Sequence, residues 1–460
     1  MQRMIPGSTA AKAGENEHSS SATVAFTNAP SGASWRDRTR SMGGLLGSIF
    51  LLGLAAHMLF FAHSRAFYAP DSSAYVARAS NLVAGHGFTT PSGEAETLLT
   101  PGYPLLIAPF LWAGLDLQYL VLLQHLMQVL LTVATAAFAF RFTGGRRQAL
   151  ITGILLSVDL PMLEAANTIL TETLFTVTLA AGLWLLWTGS RQPEQPWTGR
   201  LFLSGLLTGA SVLIRPVNMF FFFPAAVYLL LVLKRFRLRA VLGFATAFAC
   251  FPLMWAARNY HETGYFTVSS ISGWELLRCR AAGIMALNDP GDFNSNLAKR
   301  MAELQNKACD DLKALYGRNC SELSFPQKSA YYMRLGRKIV VQHPIGYLKL
   351  ALRGAAVMWL DGGPSSLEEM TGINPHVGIR LLLIYTVPAF CFALVGLLRL
   401  WNTNRQLFHL IFLTIAYFVA LSSGGESYSR YRVPVVPLYA ILIAAGIDAI
   451  VKHFRGKVRV

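Results

Sequence analysis

The stretch GGLLGSIFLLGLAAHMLFFAH, residues 43–63, followed closely by YAPDSSAY, residues 68–75, decides how the rest of the chain is read. The first part carries no Asp, Glu, Lys or Arg, and about 20 apolar residues in a helix cross the hydrocarbon of a bilayer. It reads as a membrane span. Shortly after it comes a carboxylate, Asp71, at the level where a lipid head group and a water-side group meet.

The composition extends this reading to the whole chain. Of 460 residues, 53% are hydrophobic and 14% charged, whereas a soluble domain carries about 25% charged residues. The segment before the first span lacks the short basic head and cleavage site of a secretory signal, so that span is expected to be retained. Residues 1–40, rich in Ser, Ala and Gly and without apolar periodicity, read as a disordered cytoplasmic tail.

The formal charge of +16 lies in clusters: Arg36, Arg38 and Arg40; Arg141, Arg146 and Arg147; Lys234 to Arg239; and Lys452 to Arg459. Clusters in alternate loops follow the positive-inside pattern. They put both termini in the cytoplasm and speak against nucleic acid as a partner. Ten spans result, over about 43–63, 119–141, 148–162, 169–188, 200–214, 217–233, 240–256, 379–398, 407–422 and 433–451. The expected fold is an all-α polytopic membrane protein of about ten or more transmembrane helices, with a small, mainly helical outer-face domain. Residues 41–257 form a transmembrane module that includes a first outer loop, 64–118. There Pro101 to Gly114 is too short to cross and reads as an interfacial helix. Residues 258–345 form the outer domain, where Leu297, Met301, Leu304, Ala308, Leu312 and Leu315 mark one helix face. Residues 346–460 hold a further interfacial helix and the C-terminal spans.

Chemistry-bearing residues gather at the outer ends of these spans. Asp71 fits either a helix N-cap or a general base. Glu172, opening the fourth span, fits a salt bridge or a second acid at the site, since an acid so near lipid needs a partner. Arg430-Tyr431-Arg432 places two arginines on the side the positive-inside pattern disfavours; a guanidinium grips phosphate with two parallel hydrogen bonds. Arg258, just outside another span, either caps a helix end or joins the same phosphate. Tyr75, Tyr103 and Tyr431 are candidates to line the site. Arg215-Pro216 reads as a helix terminator with a cation reaching toward water. His57, Gln124, His125 and Gln128 read as hydrogen-bonding residues between helices. Cys309 and Cys320 are spaced to close a short loop in an oxidising compartment, or to stay free. An outer acid with outer arginines suits displacement of a phosphate-linked group: arginines stabilise charge on the departing phosphate while the acid deprotonates the nucleophile.

At these residues the chain resembles the polytopic glycosyltransferases of the GT-C fold, most of all the branch with protein O-mannosyltransferases and the lipid A aminoarabinose transferase. The resemblance is carried by Pro70-Asp71-Ser-Ser-Ala-Tyr75 with Thr100-Pro-Gly-Tyr-Pro104, Thr171-Glu172, and Gly209 through Arg215-Pro216. It continues through Arg258-Asn-Tyr260, His343-Pro344 and Arg430-Tyr-Arg432 with Pro434 and Pro437. It implies transfer of a sugar, with inversion, from a polyprenyl-phosphate carrier to an acceptor on the outer face. The acceptor is a glycolipid, a polysaccharide or a protein. Asp71 falls at the family's base and Glu172 at its second recurrent acid, while Arg430, Arg432 and Arg258 are candidates for the donor phosphate. The setting implied is a bacterial inner membrane with a periplasmic site. The chain departs from the O-mannosyltransferases in having Ser72 after Asp71 and Thr-Pro-Gly in place of their His-Pro-Pro turn. Some relatives need a divalent metal; none is indicated here, and no other cofactor is expected. The alternatives are a polymerase or ligase of surface polysaccharide and a transporter or flippase of lipid-linked glycan. A transporter would place ionisable residues in mid-span.

Overall fold

The structure, a computed structural model, describes residues 35–64, 67–143, 145–191, 199–363, 367–368 and 372–457. In chain order the helices begin with α1 (Trp35–His63), α2 (Ser72–Val83), α3 (Gly102–Trp112), α4 (Gln118–Thr143), α5 (Arg146–Val158) and α6 (Leu160–Asn167). Then come α7 (Glu172–Ser190), α8 (Gly199–Val212), α9 (Phe222–Val232) and α10 (Arg237–Thr263). The outer segment contains α11 (Ile271–Glu275), α12 (Ala282–Ala286), α13 (Phe293–Tyr316) and α14 (Phe325–Gln342). The chain continues with α15 (Pro344–Leu360), α16 (Pro375–Thr403), α17 (Arg405–Ser422) and α18 (Val436–Lys457). A 3-10 turn, Pro216–Phe220, leads into α9, and another, Ser429–Val435, leads into α18. Among the described residues the only bridge between extended segments joins Thr89 and Ala95. Most of the tail expected to be disordered, residues 1–34, lies outside the described residues, and Trp35 to Arg40 already belong to α1. Residues 44–460 form one compact unit.

Among the described residues, seven helices are long and apolar enough to cross a membrane: α1, α4, α7, α10, α16, α17 and α18 with its leading turn. This is an integral membrane protein. The expected count of ten is met by fewer full-length spans because local chemistry breaks three of the runs. The span expected at 148–162 is the pair α5–α6, bent by 53°. Asp159 sits extended at the break, and its side chain accepts from the Met162 N–H to cap α6, with Pro161 in the first turn. The spans expected at 200–214 and 217–233 are the 14-residue α8 and the 3-10 turn with the 11-residue α9. Pro216 restricts the residue before it to extended backbone, and Arg215 obeys with φ −139° and ψ 116°.

Packing follows from small residues and from buried polar pairs. A Cβ added at Gly446 would stand 1.9 Å from the Phe392 carbonyl oxygen, so α16 and α18 touch backbone to backbone there. Between α1, α4 and α6 several interior polar groups pair with one another, although His57 Nε2 and Gln128 Oε1 are buried without a hydrogen-bond partner among the described residues. His57 Nδ1 lies 2.8 Å from His125 Nδ1, and His125 Nε2 lies 3.2 Å from Asn167 Oδ1. The Gln124 amide donates to the Ala166 and Thr168 carbonyls, and Gln128 donates to the Thr173 hydroxyl. In the outer segment, the buried face of α13 is Leu297, Met301, Leu304, Ala308 and Leu312, packed with Leu277 and Tyr332. Leu315, expected on that face, is exposed. α14 starts with a reciprocal cap in which Ser324 and Gln327 bond each other's backbone. Cys309 and Cys320 are joined by a disulfide.

Arg432 corrects an expectation. It is not at a phosphate site but in the core, where its Nη2 lies 3.0 Å from Asp159 Oδ2 and its Nη1 donates to the Trp359 carbonyl at 3.1 Å. Both side chains are nearly sealed from solvent, 3% and 6% exposed. The pair ties the turn before α18 to the break between α5 and α6. Removing one member leaves a buried uncompensated charge, which costs about 3–5 kcal/mol. Arg432→Ala is therefore expected to lower the melting temperature of the purified protein sharply in thermal unfolding. An unchanged melting temperature would refute the anchoring role.

Candidate functional site

Four breaks in helical structure converge at one cavity. The loop before α2 supplies Asp71, the first turn of α7 supplies Glu172, the α8–α9 break supplies Arg215, and the 3-10 turn before α18 supplies Arg430 and Tyr431. Each position is fixed by its local sequence. Glu172 begins α7, where the helix dipole favours a carboxylate. Arg215 is held extended by Pro216. Arg430 lies on the turn that Arg432 anchors. Asp71 stands just before α2, and its side chain makes no capping hydrogen bond to that helix. Its carboxylate is left facing the cavity.

The charges are paired across these elements. Arg215 Nη1 lies 2.5 Å from Glu172 Oε1 and also donates to Thr171 Oγ1 at 3.0 Å. Arg430 Nε is 4.0 Å from the same Glu172 oxygen, while its Nη2 is 3.7 Å from Asp71 Oδ2. Glu172 is buried, its side chain 3% exposed, and Asp71 is open at 61%. A sealed acid between two guanidiniums is a holder of cations; an open acid beside one of them is free to act on a ligand. Tyr75, one turn after Asp71 and on the same face, also lines the cavity. Burial, outweighing the nearby Arg215, pushes its hydroxyl up to about 12, so it stays a neutral donor.

The cavity has a volume of about 450 Å³. One part of its wall is apolar, with Val217, Phe220, Phe418 and Leu421. Another part comes from the outer segment and the loop after α17: Glu275, Cys279 and Glu426. The Cys279 thiol donates to Glu426 Oε2 at 3.2 Å. Burial raises the Glu275 carboxyl and, joined by the two nearby acids, raises the Cys279 thiol as well.

The structure brings together Asp71, Tyr75, Glu172, Arg430 and Tyr431, all of which line the cavity. It sets three expected site residues elsewhere. Arg432 is the core anchor already described. Arg258 donates to the Phe88 and Glu96 carbonyls and lies 5.0 Å from the Trp255 ring centroid, so it pins the first outer loop. Tyr103 is fully buried behind the wall; its hydroxyl donates to Gln124 at 2.7 Å and its ring meets Tyr75 edge-on. Conversely, Arg215, read from sequence as a helix terminator, is part of the charge cluster. Its signal was the cation fixed by Pro216 at the same outer level as Glu172. Glu275 carried no distinguishing pattern in sequence.

A divalent metal does not fit this donor set. Among the described residues no group of three or more His, Cys, Asp or Glu is arranged to hold one. The two acids at the charged end already face Arg215 and Arg430, which would repel a dication.

The fold and site together define a polytopic helical membrane protein with a charged cavity at its helix breaks. No family model and no curated protein matches the sequence. Among solved structures, the chain is similar to ArnT from Cupriavidus metallidurans in the apo state, with 15% identity, a TM-score of 0.39 and coverage of 87% of this chain and 76% of that one. It is likewise similar to the same protein bound to undecaprenyl phosphate, with 15% identity, a TM-score of 0.39 and coverage of 88% and 78%.

Gly102 stitches the first outer loop to the Arg215 turn. Its N–H donates to the Leu213 carbonyl at 2.7 Å, and an added Cβ would stand 2.6 Å from that oxygen. Gly102→Ala is expected to cost about 1–3 kcal/mol of stability, the usual cost of overpacking, visible as a lower melting temperature. A wild-type melting curve would show that the two turns are not in register.

Proposed function

We propose that this chain is a membrane glycosyltransferase that moves a sugar from a polyprenyl-phosphate carrier to an acceptor hydroxyl, with inversion and with Asp71 as general base. The observation that carries the reading is the convergence of Asp71 and Arg430, 3.7 Å apart across the cavity mouth. Asp71 takes the acceptor proton as the acceptor oxygen attacks the anomeric carbon. The bond from that carbon to the phosphate oxygen breaks, and the phosphate leaves with the electron pair. Arg430, aided by Arg215, meets the charge that builds there, and neither guanidinium can lose its proton. Glu172 is a positioning residue that holds the two arginines. The apolar wall of Val217, Phe220, Phe418 and Leu421 suits the first isoprene units behind the phosphate.

The sequence resemblance points the same way, to a polyprenyl-phosphate donor and a base in the first outer loop. The alternation of basic clusters supports cytoplasmic termini and a cavity on the periplasmic face of a bacterial inner membrane, with 258–345 as the outer domain. The acids stand at the cavity rather than in mid-span, which favours transfer chemistry over transport.

The test incubates purified protein with membranes and radiolabelled polyprenyl-phosphate sugars. Asp71→Asn is expected to lower transfer by about 10²–10⁴-fold, the range of general base catalysis, with an unchanged melting temperature. Undiminished transfer would remove Asp71 as base. Arg430→Ala is expected to raise the KM for the lipid donor about tenfold or more, since a hydrogen bond to a charged group contributes about 1.5–3 kcal/mol. It should also disturb melting less than Arg432→Ala. The reverse ranking of the two arginines would sink the division of roles.

A further inference from the structure

A second cavity, of about 230 Å³, shares Glu172 and Arg430 with the main one. Otherwise its polar lining is its own, with Ser64, Tyr68, Glu164, Asn167 and Thr168. We propose that this side chamber receives the ring of the sugar being transferred and recognises it through its hydroxyl groups. The inference rests on the proposed glycosyltransferase reading and adds the site that would select the donor's sugar.

Three observations carry it. The first is size: at about 230 Å³ the chamber has about half the volume of the main cavity, about 450 Å³, a scale that suits a single ring rather than a polymer. The second is chemistry. The Thr168 hydroxyl donates to the Glu164 carbonyl and the Asn167 amide to Ser64, whereas Glu172, 2% exposed, has its Oε2 buried with no hydrogen-bond partner among the described residues. A buried carboxylate oxygen in that condition costs free energy unless a donor meets it, and a sugar hydroxyl is such a donor. The third is placement. Tyr68 and Ala69 line the side chamber while Asp71, two residues on, lines the main cavity. A donor with its phosphate on Arg430 and its ring in the chamber thus presents its anomeric carbon at the junction, toward Asp71. The part of the larger cavity beyond the apolar wall assigned to the isoprene units is left for the acceptor.

Ala69→Leu fills the chamber from a loop. Its backbone bonds to Ser72 do not involve the substituted side chain. The experiment measures binding of undecaprenyl phosphate, and of undecaprenyl phosphate bearing glucose, mannose or arabinose, to wild type and to Ala69→Leu. It is paired with melting curves. Wild type is expected to bind at least one sugar-bearing lipid more tightly than the bare one. Ala69→Leu is expected to bind the bare lipid within twofold of wild type and that sugar-bearing lipid at least tenfold more weakly. Thr168→Val, nearly isosteric, is expected to weaken the sugar-bearing lipid alone, by about threefold. Equal weakening of both lipids by Ala69→Leu, or of neither, overturns the assignment and leaves the proposed reaction standing. So does unaltered donor binding with a raised KM for the acceptor, which would put the acceptor's sugar in the chamber. Wild type that binds none of these lipids overturns the proposed function and the chamber with it.

Discussion

Glu172 between Arg215 and Arg430 is the contact on which the rest of the site hangs. Three helix breaks meet there, and each brings a charge that would be costly near lipid on its own. A carboxylate at the first turn of α7 gains from the helix dipole and from two guanidiniums, so the cluster offsets the desolvation that each member would otherwise suffer. Once formed, it fixes the spacing of two cations that cannot titrate. Glu172 alone cannot neutralise both guanidiniums, so Asp71, from the loop before α2, brings the second negative charge beside Arg430. The two acids differ in burial, Glu172 sealed and Asp71 open.

Much of this was legible in the sequence, because it depends on local rules. The apolar runs announced the membrane helices, and the acid after the first of them announced the site. The face of α13 was visible in its spacing, and of the three tyrosines singled out, those at positions 75 and 431 line the cavity. What escaped depends on direction and depth. Arg430 and Arg432 sit two apart in a turn of about three residues per revolution, so their side chains diverge, one to the cavity and one to Asp159. Tyr103 and Tyr75 touch, yet only one of them reaches the cavity. The break at Pro216 was legible as a helix terminator, but the bend at Asp159 was not, since hydropathy registers composition and not a cap.

The segment from α11 to α14 lines part of the cavity wall. Its own core, around α13 and α14, is tied by the Cys309–Cys320 disulfide and packed on Tyr332. From it Glu275 and Cys279 reach the wall, joined through Glu426 from the loop after α17. The cluster of Glu172, Arg215 and Arg430 thus shares the cavity with a second charged wall, in which Arg280 stands beside Glu275 and Glu426.

Because Arg432 is locked to Asp159 and to the Trp359 carbonyl, the backbone that carries Arg430 is already ordered before any anion arrives. In the proposed reaction, a phosphate arriving at Arg430 would spend little of its interaction on freezing a loop, and more of it would survive as net affinity. The Arg-Tyr-Arg turn is an entropic device: one guanidinium gives up its contact with solvent so that the other stands preorganised.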